Sequence, residues 1–223
     1  MKKINIAIDG PAGAGKSTVS KELAKKLKYT FINTGSVYRA IALYAKNQNI
    51  SWENESEINN ILIDNIIQID EKEHVYLQNI DVSHDIRNDE ISKGSSKIAQ
   101  YKNVREYVVK FIQEITKIGK GYIMDGRDTT FKIMPHAEVK IFLTAKAEER
   151  ARRRILQNKE LGFKEDYNTV LEEVRKRDYQ DSHREVDPLH KVEDAIEIEC
   201  TNMTYEEVVN KIIDIVEKRI NEK

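Results

Sequence analysis

Apolar positions near the start of the chain come in a cluster. Ile4-Asn5-Ile6-Ala7-Ile8 is a short, β-branched run that reads as a buried first strand. After a glycine-rich gap, Val19, Leu23 and Leu27 recur every fourth residue with lysines and Glu22 between them, the spacing of an amphipathic helix. Thr34-Gly35 reads as a turn into a helix carrying Val37, Ala40, Ile41 and Tyr44, and a further helix is predicted over 57–65. The period then shortens. Ile66-Ile67-Gln68-Ile69 and Val75-Tyr76-Leu77 flank a polar turn from Asp70 to His74, which is a hairpin signal. Val104, Val108, Phe111, Ile112, Ile115 and Ile118 form the most regular helical stripe, ended by Gly119 and Gly121. Tyr122-Ile123-Met124, Val139-Lys140-Ile141-Phe142-Leu143 and Ala195-Ile196-Glu197-Ile198 are strand candidates. The last helix opens on a capping box, Thr204 with Glu207, and runs through Val208, Val209, Ile212, Ile213 and Val216.

Strands alternating with helices predict an α/β fold, a parallel central sheet with helices on both faces. No repeat or low-complexity linker interrupts it, so residues 1–223 read as a single domain. The hairpin lodged between helices marks roughly 60–95 as an insertion into a core of approximately 1–59 and 96–223.

Composition narrows the function classes. The 37 basic and 38 acidic residues leave a net charge of −1, which gives no footing for a nucleic-acid partner or a membrane surface. Cys200 is the only cysteine, which excludes an intramolecular disulfide and a cysteine-based zinc site. Met1-Lys2-Lys3 begins with positive charge, but the apolar run behind it ends at Asp9, too short for a signal peptide, so a cytoplasmic location is expected. The histidines at 74, 84, 136, 183 and 190 show no metal-ligand spacing and read as surface or structural residues.

The gap after the first strand holds Gly10-Pro11-Ala12-Gly13-Ala14-Gly15-Lys16-Ser17, a complete G-x-x-x-x-G-K-S phosphate-binding loop followed by Thr18. Its glycines let backbone N–H groups turn inward around a polyphosphate, Lys16 supplies a point charge, and Ser17 supplies a hydroxyl ligand for Mg²⁺. The positive end of the following helix faces the same anion. Strand, loop and helix in this order make ATP-type nucleotide binding the expectation. Asp125-Gly126-Arg127-Asp128 follows a predicted strand, at the carboxyl end where open α/β sheets bind ligands. Arg127 offers a donor fork for phosphate, and Asp125 or Asp128 could hold an Mg²⁺-bound water or accept from a substrate; the alternative is a polar β-turn with an internal Asp–Arg pair. Arg150, Arg152, Arg153 and Arg154 are either a solvated helix paired with Glu148 and Glu149 or a mobile source of cations for phosphoryl transfer. Arg177, Asp181 and Arg184 share one helical face, with a surface helix end as the alternative.

Together these segments resemble the bacterial cytidylate kinases over nearly the whole chain. The resemblance rests on Ile8-Asp9-Gly10-Pro11 through Lys16, Thr34-Gly35-Ser36-Val37-Tyr38-Arg39-Ala40, Val82-Ser83 with Ile86-Arg87, Asp125 to Asp128, Lys140 to Leu143, Glu149 to Arg154, and Arg177-Asp178 through Pro188-Leu189. It implies transfer of the ATP γ-phosphate to CMP, and to dCMP. With Mg²⁺ at the phosphate loop, the expected partners are these nucleotides, and a monomer is expected. It implies further that Arg39, Arg127, Arg177 and Arg184 hold the monophosphate, with Thr34 against the nucleotide near Arg39. Ser96, Arg105 and Asp128 would recognise cytosine and Asp181 the ribose. The resemblance also makes about 148–165 a lid, with Arg152, Arg153 and Arg154 reaching the triphosphate, and gives the hairpin insertion a part in closing over the monophosphate. Cytosine presents an amine donor beside two acceptors, which suits a carboxylate at Asp128 and donors at Arg105 or Ser96.

The chain departs from that family at three places. Thr129-Thr130-Phe131 stands where Ile/Met-Gly-Thr is usual, which is expected to change how tightly the backbone turns beside the substrate. Lys93-Gly94-Ser95-Ser96 replaces Asn-Ala-Ala-Ser, and Ser17 replaces a frequent glycine. A phosphate-loop kinase for another small molecule would keep the loop and lid but lose the cytosine set. A GTPase would need N-K-x-D, and Asn158-Lys159-Glu160-Leu161 lacks the aspartate. A nucleotide-binding regulator or RNA-binding module would not need two arginine clusters beside Asp-Gly-Arg-Asp.

Overall fold

A computed structural model describes residues 3–70, 74–116, 119–160 and 166–222. In chain order its elements are β1 (Ile6–Asp9), α1 (Lys16–Leu27), β2 (Thr30–Asn33), α2 (Thr34–Asn47), α3 (Glu55–Asn60), β3 (Ile67–Ile69), β4 (Val75–Leu77), β5 (Ile80–Asp81), α4 (Asp89–Ile98), α5 (Lys102–Ile115), β6 (Tyr122–Gly126), β7 (Val139–Thr144), α6 (Ala147–Glu160), α7 (Tyr167–His183), β8 (Ile196–Glu199) and α8 (Tyr205–Asn221). They fall into two compact units, Met1–Phe31 with Lys120–Lys223, and Ile32–Gly119.

The first unit is built on the five-stranded sheet β2-β6-β1-β7-β8, in which β1 pairs in parallel with β6 and β7, and β7 with β8. The central position of β1 explains its apolar Ile6-Ala7-Ile8, because a strand covered on both faces has no polar side. Ile6, Ile8, Leu23, Ile123, Ile141, Leu143, Ile198 and Ile212 are wholly buried in this core. The expected capping box is present, with Thr204 as the N-cap of α8: its hydroxyl accepts from the Glu207 N–H, and its own N–H donates to the Glu207 carboxylate at 2.7 Å. Ala151, Val170 and Val174 form a smaller core that joins α6 to α7.

The second unit carries a three-stranded antiparallel sheet, β3-β4-β5. The predicted hairpin is β3 and β4, paired Ile67 to Leu77 and Ile69 to Val75, although its turn residues 71–73 lie outside the described residues. A second hairpin went unread in the sequence. Gln78 and Asn79 join β4 to β5 with φ of 49° and 66°, the two positive angles of a tight primed turn, adopted without the glycine that usually signals one. The third predicted helix is shorter and earlier than 57–65. Asn54 caps it by accepting from the Glu57 N–H at 3.3 Å, and it ends at Asn60. Val104, Val108 and Ile112 of the long stripe are buried on α5; the Ile115 side chain and Ile118 lie outside the description.

Helix α4 contains the unusual Lys93-Gly94-Ser95-Ser96, and its glycine has a packing cause. A Cβ on Gly94 would lie 2.4 Å from the Trp52 indole. Trp52 is held there at both ends: its Nε1 donates to the Ala42 carbonyl at 2.9 Å, and its own carbonyl accepts from the Tyr101 hydroxyl at 2.8 Å. Glycine lets the helix approach the ring that closely.

Candidate active site

The phosphate loop leaves the end of β1 through Gly10. A Cβ there would sit 1.9 Å from the Leu143 carbonyl oxygen, so only glycine lets the loop pass over β7. Lys16 opens α1 from a buried position and donates from Nζ to the Pro11 carbonyl at 2.8 Å, folding back across the loop. Burial and the Arg127 charge hold its ammonium pKa well below 10.5, against the carboxylates of Asp125, Asp181 and Asp9. A cation kept in this state gains most when an anionic phosphate arrives.

Ser17 donates to Asp125 at 2.5 Å, which brings the loop's hydroxyl to the buried carboxylate near the end of β6. One hydroxyl and one carboxylate, both hard oxygen donors, fit Mg²⁺, which is usually held by one or two protein oxygens with water and phosphate completing the shell. Among the described residues no group of three or more His, Cys, Asp or Glu could hold a metal by itself.

Next along the chain, Arg127 donates from Nε to Asp181 at 2.7 Å and from Nη1 to the Gly126 carbonyl at 3.2 Å. Helix α7 thus carries Asp181 to the end of β6, and Arg177 and Arg184 act on the same carboxylate. Burial raises the Asp181 pKa, but the charges of Arg127, Arg177 and Arg184 outweigh it and hold the group below 3.8. Arg184 also donates to the Asp187 carbonyl at 2.5 and 2.9 Å and lies 3.9 Å from Asp128. Of the two readings of Arg177, Asp181 and Arg184, a solvated helix end is excluded by the burial of Asp181 and Arg184. Three guanidiniums thus act on the Asp181 carboxylate at the edge that carries the phosphate loop, with Asp128 beside Arg184.

The departure at Thr129-Thr130-Phe131 takes a form the sequence did not suggest. Asp9, fully buried at the end of β1, accepts from the N–H groups of Thr129 and Thr130 at 2.9 and 2.7 Å and from the Thr130 hydroxyl at 2.7 Å. The segment Thr129–Ile133 coils into one wide helical turn, and no residue in it has a positive φ. A glycine is therefore not required for this turn, and the Thr130 hydroxyl adds a bond that a glycine could not make. A charged residue closing an apolar strand was the available signal for Asp9.

The arginines of α6 differ from one another. Arg150 is buried, while Arg152 is mostly exposed and lies 3.5 Å from Glu149. Arg153 bonds Glu149 at 3.2 Å and the Cys200 carbonyl at 3.1 Å, and Arg154 is half-buried. Residues 161–165, the end of the expected lid, lie outside the described residues.

The remaining predicted residues belong to the second unit. Thr34 is buried at the start of α2, which Asn33 caps by accepting from the Ser36 N–H at 2.9 Å. Arg39 is half-buried one turn on, its Nη1 3.4 Å from where a Cβ of Gly35 would lie. Ser96 donates to the Ser92 carbonyl at 3.1 Å within α4. Arg105 of α5 is only 1% exposed and donates to the Ala99 carbonyl at 3.2 Å. A long cation buried this completely is held for its charge or its donors.

A glycine-rich loop at the carboxyl edge of a parallel sheet, with Lys16 and Ser17 in place and arginines beside it, defines a phosphate-loop phosphotransferase. Residues 6–218 match the family model for cytidylate kinase. The chain is 58% identical over 218 residues to the cytidylate kinase of Mycoplasmopsis agalactiae, covering 98% of this chain and 99% of that one. It is 50% identical over 223 residues to that of Caldicellulosiruptor saccharolyticus, covering 99% and 98%. The chain belongs to the cytidylate kinase family and is a nucleoside monophosphate kinase. In fold it is similar to the crystal structure of an uncharacterized protein from Eubacterium ventriosum, with a TM-score of 0.55, 14% identity, and coverage of 97% and 99%.

Proposed function

We propose that this protein transfers the γ-phosphoryl group of ATP to CMP, and also to dCMP, giving ADP and the cytidine diphosphate. The observation that carries the reading is the Arg127–Asp181 pair, with Arg177 and Arg184 acting on it, on the same sheet edge as the phosphate loop. Gly10 to Thr18 enclose the ATP phosphates, with Lys16 on their charge. Arg39, Arg127, Arg177 and Arg184 take the acceptor phosphate, Thr34 lies against the nucleotide, Ser96, Arg105 and Asp128 read cytosine, and Asp181 holds the ribose. Arg152, Arg153 and Arg154 belong to a lid of about 148–165 that closes on the triphosphate, and about 60–95 is the acceptor-side insertion.

An oxygen of the CMP phosphate attacks the γ phosphorus in line as the bond to ADP breaks, so the acceptor is its own nucleophile. The protein's work is alignment and neutralisation of charge on the transferring group. Ser17 and Asp125 are the residues that would hold Mg²⁺, which supplies charge neutralisation between the phosphates. The protein acts in the cytoplasm as a monomer. No helix among the described residues is long and apolar enough to cross a membrane.

The test is diphosphate formation by the purified protein with ATP and Mg²⁺, assayed separately on CMP, dCMP, UMP and AMP. Preference for CMP and dCMP supports both the reaction and the cytosine set. Activity chiefly on UMP or AMP would overturn the roles of Ser96, Arg105 and Asp128.

A further inference from the structure

Arg150 stands first among the four arginines of α6, and its surroundings set it apart from the other three. It is 4% exposed. Its Nε donates to the Ala145 carbonyl at 2.7 Å, and its two terminal nitrogens grip both oxygens of Asp178 on α7 at 2.8 and 2.5 Å. Nη1 donates also to the Ala12 carbonyl at 3.0 Å, inside the phosphate loop. The loop rests on this residue: a Cβ on Gly13 would lie 3.1 Å from the Cβ of Arg150. A guanidinium with all three nitrogens committed in this way is not available to a phosphate, and a two-pronged carboxylate fixes its plane.

The peptide joining Ala12 to Gly13 is trans, so its C=O and N–H point in opposite directions. Holding the Ala12 carbonyl against Arg150 therefore aims the Gly13 N–H away from α6. Arg153 approaches the next alternate peptide in the same sense, with Nη1 3.4 Å from the Ala14 carbonyl, which leaves the Gly15 N–H directed the other way. A loop that binds polyphosphate must present its N–H groups together, and an unanchored glycine-rich segment would lose affinity to the entropy of ordering them.

We propose that Arg150, oriented by Asp178, is a positioning residue for the phosphate loop, holding the Ala12 carbonyl toward α6 so that the Gly13 N–H is preset for the nucleotide phosphates. The inference rests on the reading of ATP as phosphate donor. Through this contact α7, which carries Asp178 as well as Arg177 and Asp181, sets the geometry of the ATP side as well as the arginine cluster.

The experiment is calorimetric titration of ATP with the full chain, alongside steady-state KM values for ATP and CMP. Arg150→Lys keeps the charge but loses the fork, and is expected to weaken ATP binding about tenfold while the CMP KM stays within about twofold. Asp178→Asn is expected to weaken ATP about fivefold, and the double variant to bind no worse than Arg150→Lys alone, because the carboxylate acts through the guanidinium. Unchanged ATP affinity in both single variants would overturn the proposal. So would a parallel loss of ATP and CMP affinity that follows the fall in Tm, which marks a purely structural contact. If Arg150→Lys does not fold, Asp178→Asn decides alone, since its side chain is already 30% exposed. A wild-type chain that binds ATP but does not phosphorylate CMP would overturn the acceptor assignment and leave these titrations valid, whereas one that binds no ATP overturns both.

Discussion

The phosphate loop and the arginine cluster beside it both serve phosphate in the proposed reaction, yet they are built in opposite ways. The loop is eight consecutive residues that work through their backbone, and its side chains matter mainly where they are missing, as at Gly10 over the Leu143 carbonyl. The cluster works through side chains from two distant segments, Arg127 after β6 and Arg177, Asp181 and Arg184 around the end of α7. Its positive charges repel one another and hold together because Asp181 is buried among them. A backbone site is sensitive to added bulk, whereas a side-chain site is sensitive to lost charge.

That contrast is sharpest for a single added methyl group. Gly10→Ala forces a Cβ to within 1.9 Å of a backbone oxygen, and is expected to abolish measurable ATP binding by calorimetry and to lower Tm. An alanine variant that binds ATP normally would mean that the loop can shift off β7. On the cluster side, Arg127→Ala is expected to lower turnover at least about a hundredfold while ATP affinity changes by less than about threefold. A near-normal rate would remove Arg127 from the site, and a matching loss of ATP affinity would merge the two regions into one.

Acid should separate them further. The folded-state pKa of Asp181 lies below 3.8, so its pairing stabilises the protein fully above that pH and the contribution is lost as pH falls through the lowered value. Asp181→Asn should melt roughly 5 °C below wild type at pH 7, with the gap closing as pH drops below 3.8. A gap independent of pH would assign the loss to packing. The smallest effect expected belongs to the loop. Because Lys16 is held well below 10.5 and bound phosphate raises it again, ATP binding takes up a proton, and affinity should fall as pH rises from neutral toward 10.5. A decline in ATP affinity as pH rises, with buffer-dependent binding heats, is the expected result. Heats that do not depend on the buffer would show Lys16 fully charged before ATP arrives.

The parts legible in the sequence are those whose cause is local. β1, α1, β6, β7 and α8 follow from apolar period, a glycine-rich break and a capping box, because each of these signals is written within a dozen residues. β2 was hidden because Thr30–Asn33 is four residues long and runs directly into α2, with Asn33 serving both elements. β5 was hidden because Gln78 and Asn79 make a primed turn without glycine. Helix α4 carries Gly94 and three serines, poor helix formers in isolation, and is explained by an indole that reaches it from Trp52.

By itself the sequence determined the phosphate loop, its flanking strand and helix, the α/β class and the family, since all of these rest on consecutive residues and short periods. Only the tertiary structure decided which charged residues act on which. It placed Asp9 on the Thr129–Thr130 turn, Asp181 on Arg127 and Asp178 on Arg150, across separations of 120, 54 and 28 residues. The physical reason is that an arginine reads the same in sequence whether its counter-charge is four residues away in solvent or many residues away in the core. Burial selects the partner, because a charge removed from water must find one.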